Sequence, residues 1–167
     1  ICKSVDELIK RKSVDFGSFP ELSHIAWLTT KDSVNEDYYD GFWPTLQEYN
    51  PKMTVEKWLS ALKDPTITNE KNLEMFKMML ELGGESTCSN LTDKYGNTFN
   101  YYNRLGSSFG KRVFKKFKCP ECHDNGDVRY FTIPFVGKPI IEKGKERYSW
   151  KLRHELKEAL QKMKKEE

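Results

Sequence analysis

The chain predicts a mainly α fold with a small β-hairpin, an α+β class, on three observations. Capped amphipathic segments succeed one another from Thr54 to Lys118. An Asn125-Gly126 turn signal then separates two stretches rich in aromatic and β-branched residues, Phe114–Phe117 and Val128–Val136. After Ser149 the apolar residues return to helical spacing.

Taken in order, residues 1–12 read as a short helix, with Ser4 as N-cap and Glu7 three residues on completing a capping box. Gly17, Pro20 and the polar residues from Thr29 to Asp40 read as loop. Phe16, Phe19, Trp27, Tyr38, Tyr39, Phe42 and Trp43 make residues 1–42 an aromatic-rich N-terminal extension, expected to pack on the main body. A pocket for an extruded base, if the chain uses one, would draw on Trp27, Tyr38, Tyr39 and Trp43.

Thr54 caps a helix with Val55, Trp58, Leu59 and Leu62 on one face, ended by Asp64-Pro65. Thr68 or Asn69 starts the next, with Leu73, Phe76, Met79, Leu80 and Leu82 apolar and Gly83-Gly84 as its stop. Ser86 caps a short helix carrying Cys88, Leu91 and Tyr95, stopped by Gly96. Asn97 completes a tight turn, and Thr98 caps the helix that follows. Helices linked through a Gly turn make a helix-turn-helix, and a hairpin behind it is a wing. The expectation is therefore a winged-helix-like core over residues 43–163. Ser149 is expected to cap its last helix, with Leu152, Leu156, Ala159, Leu160 and Met163 inward. Residues 164–167 are expected to begin a linker to a further C-terminal domain.

With 167 residues, 37% of them hydrophobic and 32% charged, the chain can bury a core beneath a very polar surface. It has no apolar run near the roughly 20 residues of a membrane span, and no basic-then-apolar leader, so a cytoplasmic protein without membrane contact is expected. It starts at Ile1 and ends in a charged run, and reads as a piece of a larger protein. The net charge of +3 is unevenly distributed. Residues 1–100 hold 11 basic and 16 acidic groups, whereas residues 101–167 hold 17 and 9, so the C-terminal part suits a polyanion.

The stretch Thr98–Lys118 concentrates that charge. It carries Arg104, Lys111, Arg112, Lys115, Lys116 and Lys118 and no acid, while Phe99, Tyr102, Gly106, Phe109, Val113 and Phe117 recur at helical spacing. Amides and a guanidinium can pair with base edges, and lysines with phosphates. Base readout is therefore assigned to Asn100, Tyr101, Asn103, Arg104 and Ser107, and phosphate contacts to Lys111, Arg112, Lys115, Lys116 and Arg129. Gly106 and Gly110 each cost a helix interior about 1 kcal/mol relative to Ala, so the helix is expected to bend or end near Gly110, unless the pair serves close packing.

Other motifs argue against chemistry. Cys119-Pro-Glu-Cys122 is half of a zinc site, but Cys2, Cys88, His24, His123 and His154 are scattered, so free thiols in a wing-tip turn are expected and no cofactor. Gly106-Ser-Ser-Phe-Gly110-Lys111-Arg112 is one residue short of a phosphate-binding loop and ends in Arg. Glu142, Lys145 and Glu146 lack the spaced acidic partners of a nuclease, and no histidine stands with a nucleophile, so the chain is not expected to be an enzyme.

Several short patterns, in order, resemble the N-terminal specificity region of one group of McrB-like proteins, the AAA+ GTPase subunits of modification-dependent restriction systems. They are Trp43-Pro-Thr-Leu-Gln-Glu-Tyr-Asn-Pro51, Trp58-Leu59, Leu82-Gly-Gly-Glu-Ser-Thr-Cys88, Tyr95-Gly96, Tyr101-Tyr-Asn103 and Gly110-Lys-Arg-Val113. Ile133-Pro-Phe-Val-Gly137, Trp150-Lys-Leu-Arg-His-Glu-Leu156 and Ala159-Leu160 complete the series, which spans roughly residues 42–163. The resemblance implies a module that reads double-stranded DNA, often bearing modified cytosine such as 5-methylcytosine, ahead of a GTPase motor, with a separate McrC-like nuclease subunit as cutter in antiviral defence. The alternative is a protein-interaction adaptor domain of a bacterial defence complex, since winged helices also bind proteins.

Overall fold

The structure, a computed structural model, describes residues 38–166. The chain divides into two units, residues 1–40 and Gly41–Glu167. Of the first, residues 38–40 are described, with the Tyr38 and Tyr39 rings edge to face at 5.0 Å. The helix expected over residues 1–12, the thiol Cys2 and Trp27 lie outside the described residues.

The larger unit is a mixed α+β fold. Helix α1 (Val55–Lys63) begins where Thr54 accepts a hydrogen bond from the Lys57 amide. Helix α2 (Glu70–Glu81) starts at Asn69, whose side chain exchanges hydrogen bonds with Asn72 in a reciprocal cap. A short strand β1 (Glu85–Thr87) leads directly into α3 (Cys88–Tyr95), which Thr87 caps rather than Ser86. Gly96 and Asn97, both at positive φ, turn the chain into α4 (Phe99–Phe117), capped by Thr98.

Two hairpins follow. The Asn125-Gly126 turn forms, with both residues at positive φ, but it closes only the two-residue strands β2 (His123–Asp124) and β3 (Asp127–Val128). A 3-10 turn (Tyr130–Thr132) separates them from the long hairpin of β4 (Phe135–Glu142) and β5 (Lys145–Leu152), paired from Phe135↔Leu152 to Glu142↔Lys145. β1 adds antiparallel to the far side of β5, giving the order β1-β5-β4. Helix α5 (His154–Glu166) closes the chain and packs against α1.

Four expectations change. Phe114–Phe117 is the end of α4, because Phe117 continues the apolar face of Tyr102, Phe109 and Val113 and an extended segment would abandon it. Val128–Val136 is not one strand but β3, the 3-10 turn and the start of β4. Ser149 lies within β5, bonded to Glu85 at 3.0 Å, so the last helix starts at His154, four residues later than a Ser149 cap implies, and Leu152 belongs to β5. That helix also runs through Lys164 and Lys165.

The core sits between α4, the other helices and the inner face of the sheet. Trp58 stacks on Phe109, Phe109 meets Phe76 edge to face at 4.9 Å, and Phe135 stacks on Trp150 at 4.8 Å. Gly106 and Gly110 permit that approach. A Cβ on Gly106 would stand 2.8 Å from the Trp150 ring, and one on Gly110 would overlap the Tyr130 carbonyl oxygen. The helix accordingly neither ends nor breaks at Gly110; contact with the sheet and the 3-10 turn offsets the propensity cost.

Candidate nucleic-acid interface

The 19-residue α4 has two unlike faces. Tyr102, Gly106, Phe109, Gly110 and Val113 are buried. Advancing 100° per residue, Asn100, Arg104, Ser107, Lys111 and Lys115 fall on the opposite side, together with Lys118 at the cap, and Asn103 lies at the edge of that side near Gly110. There Asn100, Asn103, Arg104, Lys111 and Lys115 are exposed, while Tyr101 and Ser107 are half-buried. Tyr101 sits edge to face on buried Tyr102 at 5.2 Å, so it is held rather than free to swing outward. A shallow groove of about 400 Å³ runs along Thr98, Asn100, Tyr101, Arg104, Leu105 and Ser108.

The cations assigned to phosphate divide into groups. Lys115 is exposed and pairs with no carboxylate among the described residues, as do Arg104 and Lys118. Lys111 is exposed, with its ammonium over the Tyr130 ring, 5.5 Å from its centre. Lys116 reaches Asp64 at 3.4 Å yet remains more than half exposed, a pairing that water screens heavily. Arg129 is bracketed by Asp124 at 3.2 Å and Asp127 at 4.0 Å, so its charge is met within the small hairpin.

Arg112 requires a correction. Its Nε donates to the Ile67 carbonyl and its Nη2 to Asn72 Oδ1, both at 2.6 Å, while Asn72 Nδ2 reaches the Leu105 carbonyl. The guanidinium thus ties α4 to the start of α2 and points inward, and burial lowers its pKa. Asn72 is fully buried, so removing Arg112 would leave its oxygen without its strongest donor. Sequence spacing placed Arg112 among lysines; only the fold shows that its wheel position is the edge where α4 meets α2.

The other singled-out residues separate likewise. Trp43 belongs to the larger unit, where its ring tilts against Phe131 at 6.3 Å and its backbone pairs with Gly137 through bonds of 2.7 and 2.8 Å. Cys119 and Cys122 are buried free thiols whose pKa values burial raises, beside Tyr49, whose hydroxyl donates to the Pro120 carbonyl at 2.9 Å. Among the described residues no three His, Cys, Asp or Glu side chains gather as a metal site.

The sequence reading weighed Lys145 only beside Glu142 and Glu146 and passed over Arg147; the long hairpin carries both to the first turn of α4 beside Phe99. The signal available was Lys143-Gly144, two successive residues at positive φ as in Asn125-Gly126. Also passed over was Arg153, 1% exposed, whose Nε donates to the Thr132 carbonyl and whose guanidinium lies over Tyr49. No helix of the described residues is long and apolar enough to cross a membrane. No family model, curated protein or solved structure matches the chain.

Proposed function

We propose that the chain is a DNA-binding specificity module that reads double-stranded DNA through the exposed face of α4. The observation that carries this reading is an acid-free helix face on which amide and guanidinium groups (Asn100, Asn103, Arg104) precede lysines (Lys111, Lys115, Lys118). The first group suits base edges and the second suits phosphates. The element order also supports it. The order α2, β1, α3, α4 and the β4–β5 hairpin, with β1 beside β5 and the small β2–β3 hairpin inserted after α4, is compatible with a winged helix, in which the third helix docks.

In this reading Asn100, Asn103, Arg104 and Ser107 face the major groove. Lys111, Lys115 and Lys118 hold the backbone, with Arg112 removed from that set and Arg129 secondary to it. The module performs no catalysis and works in the cytoplasm. Its place in a McrB-like modification-dependent restriction system, with a McrC-like nuclease as partner and modified cytosine as target, rests on the sequence resemblance.

The test is duplex binding titrated with salt across DNA bearing plain cytosine, 5-methylcytosine, 5-hydroxymethylcytosine and N6-methyladenine. Binding that weakens steeply with salt and favours one modified-cytosine duplex is expected. No binding at low salt would overturn the reading in favour of a protein-interaction adaptor, and equal affinity for all four would remove the modification preference.

A further inference from the structure

We infer that Lys145 and Arg147, on the long hairpin, form a second phosphate-binding point for the same duplex, at the opposite end of α4 from its lysines. The inference rests on the reading of α4 as the DNA-facing helix.

Strand alternation sorts the charges at the hairpin tip. In the β4–β5 register Arg147 faces Ile140 and Lys145 faces Glu142, whereas Glu146 faces Ile141. Successive side chains point to opposite sides of a sheet, so Lys145 and Arg147 share one face and Glu146 lies on the other. On the shared face and beside it stand two carboxylates, Glu142 and Asp93, against the three cations Lys143, Lys145 and Arg147, so the net charge is positive. Glu142 accepts a 2.8 Å hydrogen bond from Thr87 Oγ1, and Asp93 pairs with Lys143 at 2.6 Å. Lys145 and Arg147 have no carboxylate partner among the described residues. They border a cleft of about 320 Å³ whose far wall includes Ser89, Thr92 and the exposed ring of Phe99.

Position gives these cations their partner. Phe99 is the first residue of α4 and Lys115 lies about 24 Å along the axis. The major groove is bordered by phosphate backbone on both sides, so cations beside either end of a helix seated in it stand near phosphates. Lys115 and Lys118 meet phosphates at one end. Lys145 and Arg147 stand where phosphates flank the other, with the hydroxyls of Ser89 and Thr92 beside them. Their contribution is to affinity and register, not to the choice of base.

The experiment measures log Kobs against log salt for the full chain on a random duplex and on a 5-methylcytosine duplex. The variant K145A/R147A should reduce the slope by about 1.8, the loss of two phosphate contacts, and should weaken both duplexes by the same factor. The variant K145R/R147K should keep the wild-type slope, which separates lost charge from lost structure. The variant E146Q, on the opposite hairpin face, should also leave it unchanged. A slope unaltered in K145A/R147A, with wild type binding normally, would overturn this inference and leave the reading of α4 intact. A fall that K145R/R147K shares equally would overturn it too. Failure of the wild type to bind either duplex would overturn both.

Discussion

On its inner side α4 presents Tyr102, Gly106, Phe109, Gly110 and Val113, all buried, to the neighbouring helices, the sheet and the 3-10 turn. On its outer side Asn100, Asn103, Arg104, Lys111 and Lys115 stand in water. The two sides answer to different physics. The inner one is ruled by volume, to the point that two glycines are kept inside a helix at a propensity cost of about 1 kcal/mol each. The outer one has no such constraint, and what distinguishes it is charge and hydrogen-bonding capacity. A single added methyl group should therefore be severe on one side and nearly silent on the other. Gly110→Ala is the sharpest form of the contrast, since its Cβ would overlap the Tyr130 carbonyl oxygen, an atom fixed by the backbone. A loss of about 3 kcal/mol is expected in urea unfolding despite the gain in helix propensity. A variant as stable as wild type would erase the distinction between the faces.

Arg112 tests where the boundary between the faces runs. By sequence it belongs with the outer cations, but its guanidinium donates to Ile67 and Asn72. Arg112→Ala should cost about 2 kcal/mol, because a charged donor is removed and a buried amide oxygen is left behind. Arg112→Lys should recover little, since one ammonium cannot reproduce the fork. Denaturant midpoints check both, and the salt slope of duplex binding in Arg112→Lys should match wild type. A changed slope with unchanged stability would return Arg112 to the outer face.

The same division explains what was legible in the sequence. Helices α1 to α4 could be read because caps and apolar periodicity are local; Thr54, Asn69 and Thr98 each accept a backbone N–H in their first turn. The sheet was misjudged because turn chemistry marks a turn and says nothing of what it closes. Asn125-Gly126 closes two residue pairs, whereas the less conspicuous Lys143-Gly144 joins eight-residue strands. Gly106 and Gly110 looked like helix breakers, although the same reading noted that small residues four apart allow close packing. Choosing between those meanings needs Trp150 and Tyr130, which lie far along the chain. Of the interface, the polar stripe was visible at helical spacing. The inward turn of Arg112, the local pairing of Arg129 and the approach of Lys145 and Arg147 to Phe99 depend on tertiary contacts that no spacing encodes.

Buried thiols supply a pH test confined to the inner side. Cys88 lies on the buried face of α3, and burial pushes its pKa up to about 12. A thiol whose folded-state pKa exceeds its unfolded value stabilises fully below the unfolded value, and that contribution is lost as pH rises towards the folded one. Stability should fall between the ordinary thiol range and about pH 12, by up to about 1.4 kcal/mol per unit from this group. Cys88→Ala should flatten that part of the profile, read as urea midpoints on a pH series under reducing conditions. Cys119 and Cys122, also raised by burial, will leave some slope behind. A profile that Cys88→Ala leaves as steep as wild type would show that Cys88 ionises as freely in the folded state as in the unfolded one.

The smallest effects separate the two ends of the outer face. Arg104 and Lys115 are both exposed and both without a carboxylate partner among the described residues, so replacing either with Ala should leave stability within about 0.5 kcal/mol. Their losses in DNA binding should differ in kind. Arg104→Ala should cost on the order of 1 kcal/mol on the preferred duplex and less on random sequence, because a guanidinium at a base edge discriminates. Lys115→Ala should weaken every duplex by the same factor and lower the salt slope by about 0.9, because a phosphate contact carries no base information. Measuring both variants on both duplexes over a salt series makes the two signatures independent. If Arg104→Ala also weakens all duplexes equally, the whole outer face is a phosphate-binding surface, and base readout has to be sought elsewhere in the molecule.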